Sequence, residues 1–535
     1  MQPHLKTHFT AIDCGLVFAA LLVILGGVYL TPSDVRGLLG NSVQLAFVVC
    51  VVAVPSALAL AFAVSKYDIP GKRFWDACML MLLFLPLYIQ LASWEAGFGR
   101  GGWYSNLIDK KLNNPPLEGF RGTVWVHAVA AIPWLFWLFR MAIASVSRSY
   151  EEAASLDAPQ SKIMRHITLP FVWPMIFAAS FYVSIVSMTE ITITDRYQYR
   201  SYAEVLYNEY VLNSNLAALP LSMGAVSALI VAVGVLGILM CKLVLPRLVH
   251  ATVAGSTSLR TSRPAVTATV FAVVAIAIGT LLFLPIANLL YQAGIEVVAN
   301  DAGDRVRRWT MHKLWLTLSS SPSRYSEELA WTAILAQIST LTAVGFATLA
   351  TWWAQRQRAV GYVNSAVSLL CFVMPGTLVG FAIIWIFRVA PPSIGWLYND
   401  TILAPCLAMT IKCFPFAYLI MWYGVRAIPD SLFEAAEADG ATSFGVLRNI
   451  TLPLLRPSLI CAVVICLAVS VGELSASVLV MPPGVTTVAT QIFTLVHYGA
   501  DDQLAGLCLC CVVLFGVLAV AGNQAINVLA GKRAG

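Results

Sequence analysis

The chain has 535 residues, 59% of them hydrophobic and only 11% charged, with a formal net charge of +6. Soluble chains carry about 25% charged residues, and a mean hydropathy of +0.79 places most of this chain in lipid rather than water. Composition therefore excludes an ordinary soluble enzyme. No run of Lys and Arg interleaved with aromatics offers a nucleic-acid surface, and the positive balance fits basic residues in cytoplasmic loops.

Windows of about 20 apolar residues recur twelve times along the chain, so the predicted fold is all-α and polytopic. The first six spans fall near 10–30, 43–65, 76–95, 123–145, 171–193 and 217–245. The second six fall near 265–290, 329–353, 364–388, 401–427, 458–480 and 503–530. The first window is longer than the apolar region of a cleaved leader and no A-x-A site follows it, so it is expected to be a span. Lys and Arg are in excess in the linkers that are cytoplasmic when the N-terminus is inside, which puts the C-terminus, with Lys532 and Arg533, inside too. The long outer loops at 98–122 and 291–328 carry Lys110, Lys111, Arg305, Arg307 and Arg308, but long loops weigh little in that rule.

All twelve cysteines (Cys14, Cys50, Cys78, Cys241, Cys371, Cys406, Cys413, Cys461, Cys466, Cys508, Cys510 and Cys511) lie in apolar segments. No disulfide framework is expected. The close trio at 508–511 has no partner His and reads as small packing residues rather than metal ligands.

The second six spans repeat features of the first. Ala53-Val54-Pro55 matches Ala343-Val344-Gly345, Pro86 matches Pro375, and Pro133 matches Pro415, in the same order. This divides the chain into a first half at 1–245, a linker at 246–264 containing Gly255, Ser256, Ser258, Arg260 and Arg263, and a second half at 265–535.

Two cytoplasmic loops follow spans four and ten. The first is SRSYEEAASLDAPQSKIMRHITLP at 147–170, and the second is PDSLFEAAEADGATSFGVLRNITLP at 429–453. Ser149 precedes Glu152 by three and Ser431 precedes Glu434 by three, so each loop is expected to open with a capping box. A short helix follows, faced by Ala153 and Ala154 or by Ala435 and Ala436, where small side chains let another surface approach. Gly440 then supplies a turn, and the Pro of each Leu-Pro starts the next span.

The pattern E-A-A-x3-G-x9-I-x-L-P resembles the signature loop of ABC importer permeases. The loop at 431–453 carries it in full, in Glu434, Ala435, Ala436, Gly440, Ile450, Leu452 and Pro453. The loop at 149–170 keeps Glu152, Ala153 and Ala154, has Ala158 at the Gly position and is one residue short before Pro170. Glu151 is an alternative counterpart of Glu434. Glu152 is preferred, because it keeps both the capping box and the distance back to Pro133. The resemblance implies a permease with two fused halves in the bacterial inner membrane. It implies coupling helices seated on two copies of a cytoplasmic ATPase, and an outer solute-binding protein. There is no G-x-x-x-x-G-K-[ST] run, so the chain is expected to be no enzyme and to need no cofactor of its own, with ATP and Mg held by the partner subunits.

Glu190 and Glu473 each lie 20 residues after their Leu-Pro, toward the outer side of spans five and eleven. An intramembrane carboxylate is a candidate for the translocation pathway. The two would face each other across it as an acidic ring, or bond locally to Ser187, Thr192 or Ser470. Lys412 in span ten, whose repeat counterpart is Ala130, is the third pathway candidate. It is expected to pair with Glu473 or with a carbonyl freed by Pro415. The stretch Gly472 to Gly499 resembles ferric-iron-type fused permeases, which implies iron(III) as solute, with thiamine, polyamine and phosphonate permeases as alternatives in the same group. The competing class is an ion-coupled twelve-span secondary transporter, in which Glu190, Glu473 and Lys412 would be ion sites. The loop KYDIPGKR at 66–73 does not look like the charged signature of that class.

Overall fold

The computed structural model describes residues 33–108, 115–146, 148–213, 264–299 and 305–531. Seven of its helices are long and apolar enough to cross a membrane, and three bent helix pairs raise the number to ten among the described residues. These ten coincide with predicted spans two to five and seven to twelve. Spans one and six lie outside the described residues.

The proline pairs predicted from the duplication reappear as paired backbone features. Pro86 breaks span three into Lys72–Phe84 and Leu87–Ser105, bent by 102°, and Pro375 breaks span nine into Ala359–Val373 and Gly376–Val389, bent by 110°. Each pair is a broken span or a re-entrant loop. Pro133 and Pro415 instead sit inside the continuous helices Gly119–Ala144 and Leu403–Arg426. Before each Leu-Pro comes a π-helical turn, at Met164–Thr168 and at Leu447–Thr451. Proline has no N–H and its ring crowds the carbonyl four residues back. The wider turn makes room for it, with Leu169 N–H bonding to Met164 O and Leu452 N–H to Leu447 O. Span eleven bends again, by 71°, where Ser443–Leu454 meets Arg456–Gly472.

The described residues form two compact units, one built of 33–83 with those between 89 and 314 and the other of 84–88 with 315–531. In the first unit, span two (Ser33–Lys66) packs on spans four and five, with Ala53, Ala57 and Ala61 fully buried. Small residues let membrane helices come close enough for dispersion to hold them. Span seven (Pro264–Ala293) also belongs to this unit. Its buried Asn288 receives a bond from Trp103 Nε1 at 2.9 Å and donates to Ser93 O at 3.1 Å, so its amide is not stranded in lipid. Gly97 is required there, because a Cβ would lie 2.4 Å from Asn288 Nδ2. After span seven the chain forms a two-stranded antiparallel ribbon, β1 (Ile295–Ala299) with β2 (Arg305–Trp309), in the register Ile295 to Trp309. It is a small departure from the all-α expectation.

In the second unit, Ala343, Val344 and Ala347 of span eight pack on Cys413, Ala417 and Met421 of span ten and on Ala462 and Cys466 of span eleven. Cys413 Sγ donates to Cys466 O at 3.4 Å, and Cys466 Sγ to Cys413 O at 3.6 Å. The thiols thus serve as small, weakly polar packing residues. Residues 84–88 belong to the same unit, and Tyr88 Oη donates to Val471 O at 3.0 Å.

Candidate coupling loops and pathway residues

The second loop forms the helix Asp430–Ala438. It starts earlier than the capping box requires. Pro429 occupies the cap position with extended backbone (φ −60, ψ 135) and makes no side-chain cap bond, so Ser431 lies within the first turn rather than at the cap. Proline pre-sets the entry angle and leaves no N–H to satisfy. The C-terminus is as predicted. Gly440 has φ +74, its N–H bonds to Glu437 O at 3.0 Å, and Ala441 N–H bonds to Ala436 O at 2.9 Å. These are the two bonds of a Schellman cap. Thr442 then caps the next short helix, Ser443–Val446, by accepting from Gly445 N–H. Glu434 and Ala435 are exposed, and Ala436 is buried against the bundle.

The first loop forms the helix Arg148–Ser155, so Ser149 is inside it and is not the cap. Without glycine, the turn is made differently. Asp157 N–H and Ala158 N–H both bond to Ala154 O, at 3.2 and 3.0 Å. Among the described residues the only non-glycine with positive φ is Gln198, so Ala158 keeps a negative φ and Pro159 follows the turn. Glu152 and Ala153 are exposed, like Glu434 and Ala435, while Ala154 and Ala158 are half-buried. Glu152 thus shares the exposure of Glu434, and Glu151 does not.

Glu151 instead is buried, and it joins residues that the sequence did not single out. Lys66, at the end of span two, lies 2.5 Å from Glu151 Oε2, and Thr168 donates to Oε1 at 2.8 Å. Arg356 stands at the end of span eight as Lys66 does at the end of span two, and it donates to Ser443 of the second loop. The sequence signal was available only in part. Both cations end an apolar span, where basic residues are common anyway.

Apolar side chains are exposed beside both loop helices: Tyr150 and Leu156 in the first copy, Leu432 and Phe444 in the second. Exposed alanines and carboxylates rimmed by such groups form a surface suited to a protein partner.

The three pathway candidates have local partners. Glu190 ends span five in extended backbone and accepts from Thr192 N–H at 2.6 Å and Ile193 N–H at 3.0 Å. His127 Nε2 of span four is 3.7 Å from the same carboxylate. Glu473 ends Arg456–Gly472 and accepts from Ala476 N–H at 2.7 Å. The donors are backbone N–H groups, not the hydroxyls expected from sequence. Lys412 Nζ donates to Met374 O at 3.0 Å. That carbonyl ends the helix Arg358–Val373 at the break before Pro375. The freed carbonyl is therefore that of the neighbouring broken span, not one released by Pro415, and a cation at a helix C-terminus suits its dipole.

Residues 343–532 match the family model described as binding-protein-dependent transport system inner membrane component. A 2-aminoethylphosphonate transport system permease protein of Salmonella paratyphi A is 32% identical over 176 residues, 32% of this chain and 65% of the relative. A molybdenum transport system permease protein of Bacillus subtilis is 28% identical over 214 residues, 38% of this chain and 94% of the relative. The putrescine transport system permease protein of Escherichia coli K12 is 27% identical over 150 residues, 28% of this chain and 52% of the relative. The chain thus spans about two thirds of the phosphonate relative and about half of the putrescine relative.

Proposed function

We propose that this chain, whose residues 343–532 match the family model described as binding-protein-dependent transport system inner membrane component, is the two-half permease subunit of an ATP-driven importer. The observation that carries the reading is the loop Asp430–Pro453: an exposed Glu434-Ala435 face, a Schellman turn at Gly440 and a π turn leading into span eleven. It lies within the matched segment and has a structural counterpart at Arg148–Pro170.

In this reading both loops are cytoplasmic, as are the two termini, and each seats on one of two copies of an ABC ATPase. Closure of the ATPases on ATP draws the loops together, and the helix bundles switch between inward and outward access. The chain performs no covalent chemistry; the partner subunits bind ATP and Mg. An external binding protein delivers the solute. Iron(III) is supported by the likeness of Gly472–Gly499 to ferric-type permeases. An oxyanion is the second reading, supported by relatives named for 2-aminoethylphosphonate and molybdenum. Binding measurements on the binding protein encoded beside this gene separate the two.

Purification of the chain from native membranes is expected to bring an ABC ATPase with it, and Glu434→Arg to abolish that association. Reproducible absence of an ATPase from the wild-type preparation contradicts the reading.

A further inference from the structure

The first loop helix is fastened to its bundle by a buried ion pair with a third partner. Lys66 Nζ sits 2.6 and 2.5 Å from the two carboxylate oxygens of Glu151. The side chains are 1% and 4% exposed. Thr168, in the π turn before Pro170, adds its hydroxyl to the same carboxylate. The end of span two, the loop helix and the start of span five therefore meet at one buried point.

Burying two charges is a demanding way to seat a helix. An apolar pair of similar volume is commonly as stable or more so. The second half uses that simpler solution. Phe433, which precedes Glu434 as Glu151 precedes Glu152, packs against the core of spans eight, ten and eleven. Arg356 remains at the surface, stacked 4.7 Å over Trp352 and bonded to Ser443. What the ion pair adds is direction. Lys66 and Thr168 tie the end of span two and the π turn to one carboxylate of the loop helix, a set of fixed attachment points that non-directional apolar packing does not provide. Ala158 cannot supply the left-handed turn by which Gly440 fixes the second helix.

We propose that Lys66, Glu151 and Thr168 form a positioning network that fixes the first coupling helix and passes its displacement to spans two and five. The proposal rests on the coupling reading above.

The test uses the full chain with its ATPase and binding protein in proteoliposomes. The double variant Lys66→Met with Glu151→Leu replaces the pair by apolar groups and leaves no buried charge unpaired. It is expected to fold, to capture the ATPase and to hydrolyse ATP, but to consume several-fold more ATP per solute imported. A wild-type ratio in the folded double variant overturns the proposal, because mere packing would not move that ratio. If the double variant does not fold, Thr168→Val removes one hydrogen bond only. A raised ratio in Thr168→Val supports the network, and an unchanged ratio overturns it. A wild-type chain that captures no ATPase refutes the coupling reading itself, and the proposal with it.

Discussion

Glu190 and Glu473 do the same local work in the two halves. Each is the first non-helical residue after its span, and each turns its carboxylate onto backbone N–H groups two or three residues ahead. The carbonyls match too: Thr194 Oγ1 donates to Glu190 O and Ser477 Oγ to Glu473 O, both at 3.2 Å. The intramembrane carboxylates are thus anchored as caps of the turns that follow them, whichever further role they have in transport.

The capping role predicts a split between two substitutions at Glu473. Glu473→Ala removes the acceptor for Ala476 N–H and is expected to cost about 1 kcal/mol, seen as a lowered thermal midpoint in detergent. Glu473→Gln keeps an acceptor oxygen and should unfold near the wild-type midpoint. If Glu473→Gln nevertheless loses uptake, the negative charge itself serves transport. Equal loss of stability in both variants contradicts the cap.

At Gly440 the backbone is left-handed, which costs a residue with a Cβ about 1–2 kcal/mol. Gly440→Ala should therefore loosen the second loop and weaken ATPase capture. Ala158→Gly should leave capture near wild type, because Ala158 has no positive φ for a glycine to relieve. Pull-down with graded salt measures both, and an unaffected Gly440→Ala variant would show that the turn is not needed for docking.

Lys412 holds the carbonyl at the break of span nine. A hydrogen bond to a charged group contributes about 1.5–3 kcal/mol, so Lys412→Met should lower the thermal midpoint, with Lys412→Arg milder. A midpoint unchanged in Lys412→Met would remove the structural role and leave a pathway role as the remaining one.

Glu204, in the helix Tyr202–Asn213 outside the spans, has its carboxyl pushed above the usual carboxylate range by burial, against the lowering bond from Asn208. Asp195 pushes in the same direction and Arg200 opposes it. A raised folded-state value means that the folded protein binds the proton more tightly than the unfolded one. Stability is then lost as pH rises from the ordinary carboxylate value through the raised one. Glu204→Gln is expected to raise the midpoint at pH 7 and to lose that advantage below the ordinary carboxylate range. A constant difference across pH would rule this out.

Much of the architecture was legible because it is written in residues with hard backbone constraints. Pro86 with Pro375, Pro133 with Pro415 and Pro170 with Pro453 limit what the chain can do, so the paired sequence positions became paired breaks, continuous helices and π turns. Gly440 was readable for the same reason. The network of Lys66, Glu151 and Thr168 was not, because it joins residues 85 apart in sequence and a basic residue ending a span looks like any other. The partner of Lys412 was missed because the free carbonyl comes from a different span. The capping boxes were displaced because helix starts shift easily by a residue or two, and Pro429 offered an earlier one.

In the proposed function, ATP hydrolysis by separate subunits drives solute through these two bundles. Uptake into proteoliposomes holding the chain, its ATPase and its binding protein, with ion gradients collapsed by ionophores, tests it most directly. Accumulation is expected to require ATP, to survive the ionophores and to disappear in Glu434→Arg. Accumulation that needs an ion gradient and proceeds without ATP would contradict it.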